Sequence, residues 1–484
     1  MTRIRACAAA AAVVGVLCVL SASAFAALTF RTCLTKDGKG IAEKPPPMDM
    51  QAELGRTGAM TALPELVPGP PQPWTMVLCS ADLTKLDLRS KLAELQAADF
   101  DTKTKWPKAM PAGFDPAAIL ALGKNPGLGV RALHAKGLTG KGIGIGIIDQ
   151  GLLVDHVEYA DRLKLYEEMH YADATAQLHG PAVASIAVGK TVGVAPEADL
   201  YYLAETSCGE NGRANKDLTV TARSIDRLLE VNGTLPKDRK IRVISISMGL
   251  LPDWTGYREV MAAVERAKAE GVFVISTSLD RTDGLNLMGL GREPNKDPER
   301  AASYSPASWY KPYLDLMPGQ PMLLIPMDSR AIAGPTGARD YAFYRTGGMS
   351  WTVPYLAGLY ALACQVKPEV TPEQFWAKAM ETGDVIEMKD VPLPDPAGEM
   401  AKRNAQQVET WVRNMTQRGT KESQEKSFGR MCSQMTGVTR ETMTEAEFRT
   451  ATTQWLTATT IGDGKVHRLG RIVNPARLME TLRK

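Results

Sequence analysis

The chain has 484 residues, with 57 Lys and Arg against 54 Asp and Glu and a formal charge of +3. Hydrophobic residues make up 44% and charged residues 23%, which excludes a mostly disordered, collagen-like or polytopic membrane chain. The near-balanced charge gives no electrostatic basis for a nucleic-acid partner, and five histidines argue against a His-rich metal site.

The first residues read as an export signal. Arg3 and Arg5 precede an apolar run from Ala6 to Leu20, and Ala24-Phe25-Ala26 fits the small-x-small rule. Residues 1–26 are therefore expected to be a signal peptide cut before Ala27, giving a secreted or extracytoplasmic protein of the periplasm or cell envelope. The other reading is an uncleaved membrane anchor, because the apolar stretch continues to about Phe30. Cys7 and Cys18 would leave with the signal. Cys33, Cys79, Cys208, Cys364 and Cys432 remain, none at metal-ligand spacing. Cys33–Cys79 is a candidate disulfide that sequence cannot establish, and Cys364 is expected to be a buried small residue.

Residues 27–115 are weakly patterned. Pro45-Pro46-Pro47 and Pro68-Gly69-Pro70-Pro71 read as extended linker, with a short amphipathic helix expected from about Leu83 to Ala98. Alternating strand and helix signals then begin. Strands are expected at Ile143–Ile148, Leu200–Ala204, Ile241–Ile246 and Val272–Ser276. Helices are expected at Pro181–Val188, Leu218–Val231, Arg258–Glu270 and about Val353–Gln365. Continuous apolar strands alternating with helices predict an α/β fold, a mostly parallel sheet with helices on both faces. Residues about 380–460 read as a charged helical insertion with a solvated face.

Three elements carry chemistry. Gly142-Ile-Gly-Ile-Gly-Ile-Ile-Asp149 is a buried strand ending in a carboxylate, where α/β sheets gather functional groups. His179-Gly180 opens a small-residue helix. Gly347-Gly348-Met349-Ser350 places a serine at a helix start, with Pro354 in its first turn. Each has a bland reading: loop capping for Asp149, a structural histidine, an N-cap serine. Together, in the order Asp, His, Ser, they form one known order of the hydrolytic triad.

At this point the sequence resembles the subtilase family of serine endopeptidases. His156-Val-Glu158, Gly193-Val-Ala-Pro196, Ser247-Met-Gly249, Gly348-Met-Ser350-Trp-Thr-Val-Pro354 and Gly470-Arg-Ile-Val-Asn474 are similar to its other motifs. The resemblance covers about residues 120–484. It implies a subtilisin-like three-layer domain over 116–484 and protein or peptide substrates. A membrane partner is expected only if the apolar leader stays uncleaved. Catalytic roles fall to Asp149, His179 and Ser350, and a substrate cleft to Ser247, Met248 and Gly249. Residues 27–115 stand where the family carries a removable pro-segment, with a permanent arm as the alternative. No metal or other cofactor is expected: calcium is common in the family, but no Asp-rich loop has ligand spacing.

The family supplies an amide donor to the oxyanion from an Asn after a strand ending Ala-Gly. Counting along Val272–Ser276 puts Leu279-Asp280 there. Two readings stand: a buried, protonated Asp280 donates, with Leu279 narrowing the cleft, or the loop is shifted and Asp280 sits in solvent. Asn286 is a weak substitute. Functionally, the leading reading is an exported serine endopeptidase. A catalytically impaired binding protein and an acyl-enzyme peptide ligase are the alternatives.

Overall fold

The computed structural model describes residues 30–32, 45–64, 76–169, 175–205, 217–307, 322–389, 399–416, 420–436, 440–460 and 466–484. The expected leader, residues 1–26, lies outside them, as do Cys33, Cys208 and the Pro68–Pro71 linker.

The central sheet contains β1 (Phe30–Thr32), β4 (Gly144–Asp149), β5 (Leu163–Met169), β6 (Asp199–Glu205), β7 (Ile241–Ile246) and β8 (Phe273–Ser276), with strands numbered along the chain. Their order is β1-β5-β6-β4-β7-β8. All neighbours are parallel except β1, which lies antiparallel on β5. Strands β4, β7 and β8 are mostly apolar because both of their faces are covered, whereas β5 carries Lys164, Glu167 and Glu168. On β4, Ile145 and Ile147 enter one core and Ile148 the other. The first core is packed by the helices His179–Val188 and Met349–Val366, the second by Leu218–Thr234 and Tyr257–Ala269. A Cβ on Gly146 would lie 2.8 Å from Leu228 Cδ1, so this glycine lets a helix close on the sheet. The chain leaves β4 toward β5 and β6 on one side and later adds β7 and β8 on the other. That makes the carboxyl end of β4 the topological switch point, the usual ligand position in an open α/β sheet.

A second sheet lies behind the buried Met349–Val366 helix: β10 (Tyr304–Pro306), β9 (Leu287–Arg292), β11 (Met322–Pro326), β15 (Val466–Ile472) and β14 (Asp384–Lys389), in that order. The expected insertion therefore opens with a strand rather than a helix. β14 pairs antiparallel with β15, and between them run the helices Glu399–Thr416, Lys421–Thr436 and Glu445–Thr460. These bury a separate core that includes Val408, Phe428 and Phe448.

The third sheet is β12 (Arg330–Ala333), β13 (Tyr341–Tyr344), β3 (Ala98–Asp101) and β2 (Met76–Val77). It joins the N-terminal segment to the strand that leads to Ser350. The helix expected over Leu83–Ala98 shrinks to Leu92–Gln96. Local turns win upstream: Asp82 accepts from the backbone and hydroxyl of Thr84, and Leu83 and Leu88 are buried as loop residues. Cys79 and Cys364 are buried free thiols; the expected Cys33–Cys79 pairing involves Cys33, which lies outside the described residues. Among the described residues no helix is long and apolar enough to cross a membrane.

Candidate active site

Asp149 ends β4 and His179 begins the His179–Val188 helix. His179 Nδ1 lies 2.6 Å from Asp149 Oδ1, which also accepts the Gln150 N–H at 2.8 Å. Gly180 makes this approach possible. A Cβ there would lie 2.5 Å from the Gln150 carbonyl and 2.6 Å from the Tyr202 hydroxyl. Burial disfavours the charged imidazole of His179, but the charge and hydrogen bond of Asp149 outweigh it, and its pKa is raised above the usual histidine value.

Ser350 is the second residue of the Met349–Val366 helix, capped by Gly348 in extended conformation. Its Oγ donates to the Ser247 carbonyl at 3.2 Å, and the Ser247 Oγ donates to the Ser350 carbonyl at 2.9 Å. Pro354 explains the second bond. It sits beyond the first turn, not in it as the sequence suggested. Lacking an N–H, it leaves the Ser350 carbonyl four residues back without its helical donor. Ser247 supplies one instead. The Trp351 ring packs on His179 with centroids 5.5 Å apart, so the serine and histidine elements meet at this residue. No hydrogen bond joins Ser350 to His179 here.

The nucleophile loop is held tightly. The Gly347 N–H donates to Asp328 Oδ1 at 2.8 Å. A Cβ on Gly347 would lie 2.5 Å from the Met327 carbonyl. Burial pushes the Asp328 carboxyl up to about 7, against the Gly347 hydrogen bond and Arg345. A second buried carboxyl, Glu205 at the end of β6, is likewise raised to about 7 by burial. Sequence reasoning singled out neither, because an acidic residue near a strand end normally reads as loop.

Asp149 thus contacts His179, and Ser247 contacts Ser350; Leu279 and Asp280 are placed differently. Leu279 is 1% exposed within the main core and leaves no face for a cleft. Asp280 is exposed on the short Leu279–Asp283 helix, so the burial that would make it a protonated donor is missing. The segment before it flanks the turn after β7 instead: the Thr277 N–H donates to the Met248 carbonyl and the Leu250 N–H to Ser278 Oγ. Both hydroxyls, Thr277 Oγ1 and Ser278 Oγ, lie 3.7 Å from where a Gly249 Cβ would stand. Met248 and Gly249 are half-buried. Asn286, also half-buried, uses its carbonyl to accept from the Leu323 N–H.

The other motif residues are structural. Glu158 accepts from the backbone of Thr191 and Val192 and from the hydroxyls of Thr191 and Tyr341, tying down the loop before Gly193. His156 contacts the Asp340 carbonyl at 2.8 Å. Among the described residues, no group of three His, Cys, Asp or Glu is arranged to hold a metal ion.

Comparison with known proteins bears on the family of the chain. The chain is 26% identical over 302 residues to the subtilisin-like protease PopC of Myxococcus xanthus (strain DK1622), covering 55% of this chain and 59% of that protein. It is 24% identical over 273 residues to the subtilisin-like serine protease Cur l 4.0101 of Cochliobolus lunatus, covering 52% and 51%. The chain thus spans little more than half the length of these relatives. Two solved structures are similar over part of the chain: the prenylagaramide maturation protease PagA (17% identity, TM-score 0.37, 55% of this chain and 89% of that one) and a cold-adapted subtilisin-like serine proteinase (18%, 0.34, 51% and 83%). The sequence profile of the Subtilase family matches residues 140–413, more than half of the chain, and the chain belongs to that family.

Proposed function

We propose that the protein is an exported serine endopeptidase that hydrolyses peptide bonds through an acyl-enzyme on Ser350. The observation that carries this is the 2.6 Å contact between Asp149 and His179 at the sheet's switch point, beside the helix whose second residue is Ser350. In this mechanism Ser350 Oγ turns from the Ser247 carbonyl to His179 Nε2, which takes its proton as Oγ attacks the substrate carbonyl. Asp149 holds Nδ1 protonated and stabilises the imidazolium. His179 then gives the proton to the departing amine, and water releases the acyl group by the same route. The Ser350 N–H and the helix N-terminus face the developing oxyanion. No side-chain amide at position 280 assists them, and this is the feature that favours a second reading, an impaired subtilase-fold binding protein.

Export rests on the leader sequence. A chain beginning at Ala27 keeps β1, which starts at Phe30, so the cut would leave the edge of the central sheet intact.

The test is fluorophosphonate labelling of protein lacking residues 1–26, beside Ser350→Ala, from about pH 5 to about pH 9. Labelling should vanish in the variant. In the parent it should decline as pH falls through the raised His179 pKa, because only the neutral imidazole accepts the proton. Absence of labelling at every pH would move the assignment to the binding protein.

A further inference from the structure

We infer that the N-terminal segment 76–115 is a resident part of the active molecule, and that its Asp99 is a positioning residue for the Ser350 loop. The inference rests on Ser350 being the nucleophile. Of the two readings left open by the sequence, it takes the permanent arm over the removable pro-segment.

The segment enters the molecule as sheet. Strand β3 pairs with β13 through Phe100↔Phe343 and Asp101↔Ala342, and β2 pairs with β3. The Phe100 and Phe343 rings lie 5.1 Å apart inside a core shared by the segment and the body. Removing the segment would bare that core and leave β13 with an open edge.

The polar contacts point at the nucleophile. β13 ends at Tyr344, and Arg345 starts the loop to Ser350. The Arg345 N–H donates to Asp99 Oδ1 at 2.7 Å, and its Nε to the Gln96 carbonyl at 3.1 Å. Asp99 is 3% exposed, so this acceptor is not replaced by solvent. From the other side, Asp328 holds Gly347. The loop is thus clamped between one carboxylate of the body and one of the segment. A packing path runs alongside: Tyr344 meets the Trp351 ring edge-on at 5.8 Å, and Trp351 lies on His179. A shift of β13 therefore moves the loop of Ser350 and the ring seated on its base together.

The experiment measures the saturable fluorophosphonate reaction of Ser350, separating the labelling rate at saturation from the probe concentration at half-saturation, with intact mass of the labelled chain. The labelled parent should still contain residues 76–115. Asp99→Ala should lower the saturating rate about 10²-fold per folded molecule, the scale of a roughly 1 Å misplacement, with half-saturation little changed. Asp99→Asn keeps an acceptor oxygen and should recover most of the rate, even if Asp99→Ala folds too poorly to be read. Leu83→Val, in the same core but remote from the clamp, should lower the melting temperature without changing the rate of the folded fraction. Either a labelled species that begins after residue 115, or parent-like rates in both Asp99 variants, overturns the inference. A parent that does not label at all fails the reading beneath it instead, and the inference with it.

Discussion

Replacing Glu205 with Gln should make the protein's stability less dependent on pH. The carboxyl is buried at the end of β6 and accepts from Thr221 Oγ1 at 2.7 Å and Ser224 Oγ at 3.0 Å, and among the described residues no cation pairs with it. Burial raises its pKa to about 7, the two hydroxyls oppose this, and Asp149 and Asp217 add to it. The folded state therefore holds the proton more tightly than the unfolded chain, whose carboxyl titrates near 4.5. The favourable contribution is complete below that unfolded value and is lost as pH rises through about 7. A shift of about 2.5 units at about 1.36 kcal/mol each is worth roughly 3 kcal/mol at alkaline pH. Gln keeps an oxygen for the two hydroxyls and carries no charge. Any cost of seating its amide is the same at all pH, so only the pH-dependent part tests the argument. On a Ser350→Ala background, which prevents self-digestion, urea midpoints at about pH 5, 6, 7 and 8 would be compared. The gap between Glu205→Gln and its parent should widen in favour of Gln across that range. A gap that stays constant refutes a buried, titrating Glu205.

Asp149→Asn removes both influences that raise the His179 pKa; steady-state cleavage of a peptide library should fall about 10⁴-fold, with the acid limb of the remaining activity moved to lower pH. Ser247→Ala leaves the Ser350 carbonyl without a donor and should cost about 1–3 kcal/mol in denaturant unfolding. Gly180→Ala drives a Cβ into the Gln150 carbonyl and the Tyr202 hydroxyl, so the His179 helix must shift; fluorophosphonate labelling should slow about 10²-fold and the melting temperature should drop. Asp280→Asn and Asp280→Ala should both label at the parent rate at every pH, since the side chain is exposed; a gain from Asn would restore the donor role that its exposure denies.

Four of the central strands, β4, β6, β7 and β8, were legible because runs such as Ile241–Ile246, covered on both faces, have no other reading once helices flank them; β5, Leu-Lys-Leu-Tyr-Glu-Glu-Met, was not, because its charged residues break the apolar run. Asp149 and His179 were legible because each lies at the end of one regular element, where sequence spacing fixes position. The N-terminal segment was not. Its strands are short, and β3 reads Ala-Asp-Phe-Asp, a pattern that suggests exposure on one face. Both aspartates are instead buried: Asp101 accepts from the backbone and hydroxyl of Ser80, and Asp99 from Arg345, 246 residues away. Burial of a carboxylate is permitted only by such partners, and partners that remote leave no local trace in the sequence.

The oxyanion position failed for a related reason. Counting from β8 to an expected Asn assumes that the chain leaves the strand as a loop of fixed length. Here Ser278 ends that loop early by accepting from the Leu250 N–H, and the next five residues coil into a helix. The coil turns Leu279 into the core and Asp280 into water. What then lies against Gly249 is not the residue at the counted position but the hydroxyl pair just before it, Thr277 and Ser278. Asp149, His179 and Ser350 were placed by counting too, and each is anchored by something the local sequence encodes: a strand end, a glycine that admits a close contact, and a proline that leaves a carbonyl for Ser247. Position along the sequence predicts chemistry only where such an anchor fixes the backbone.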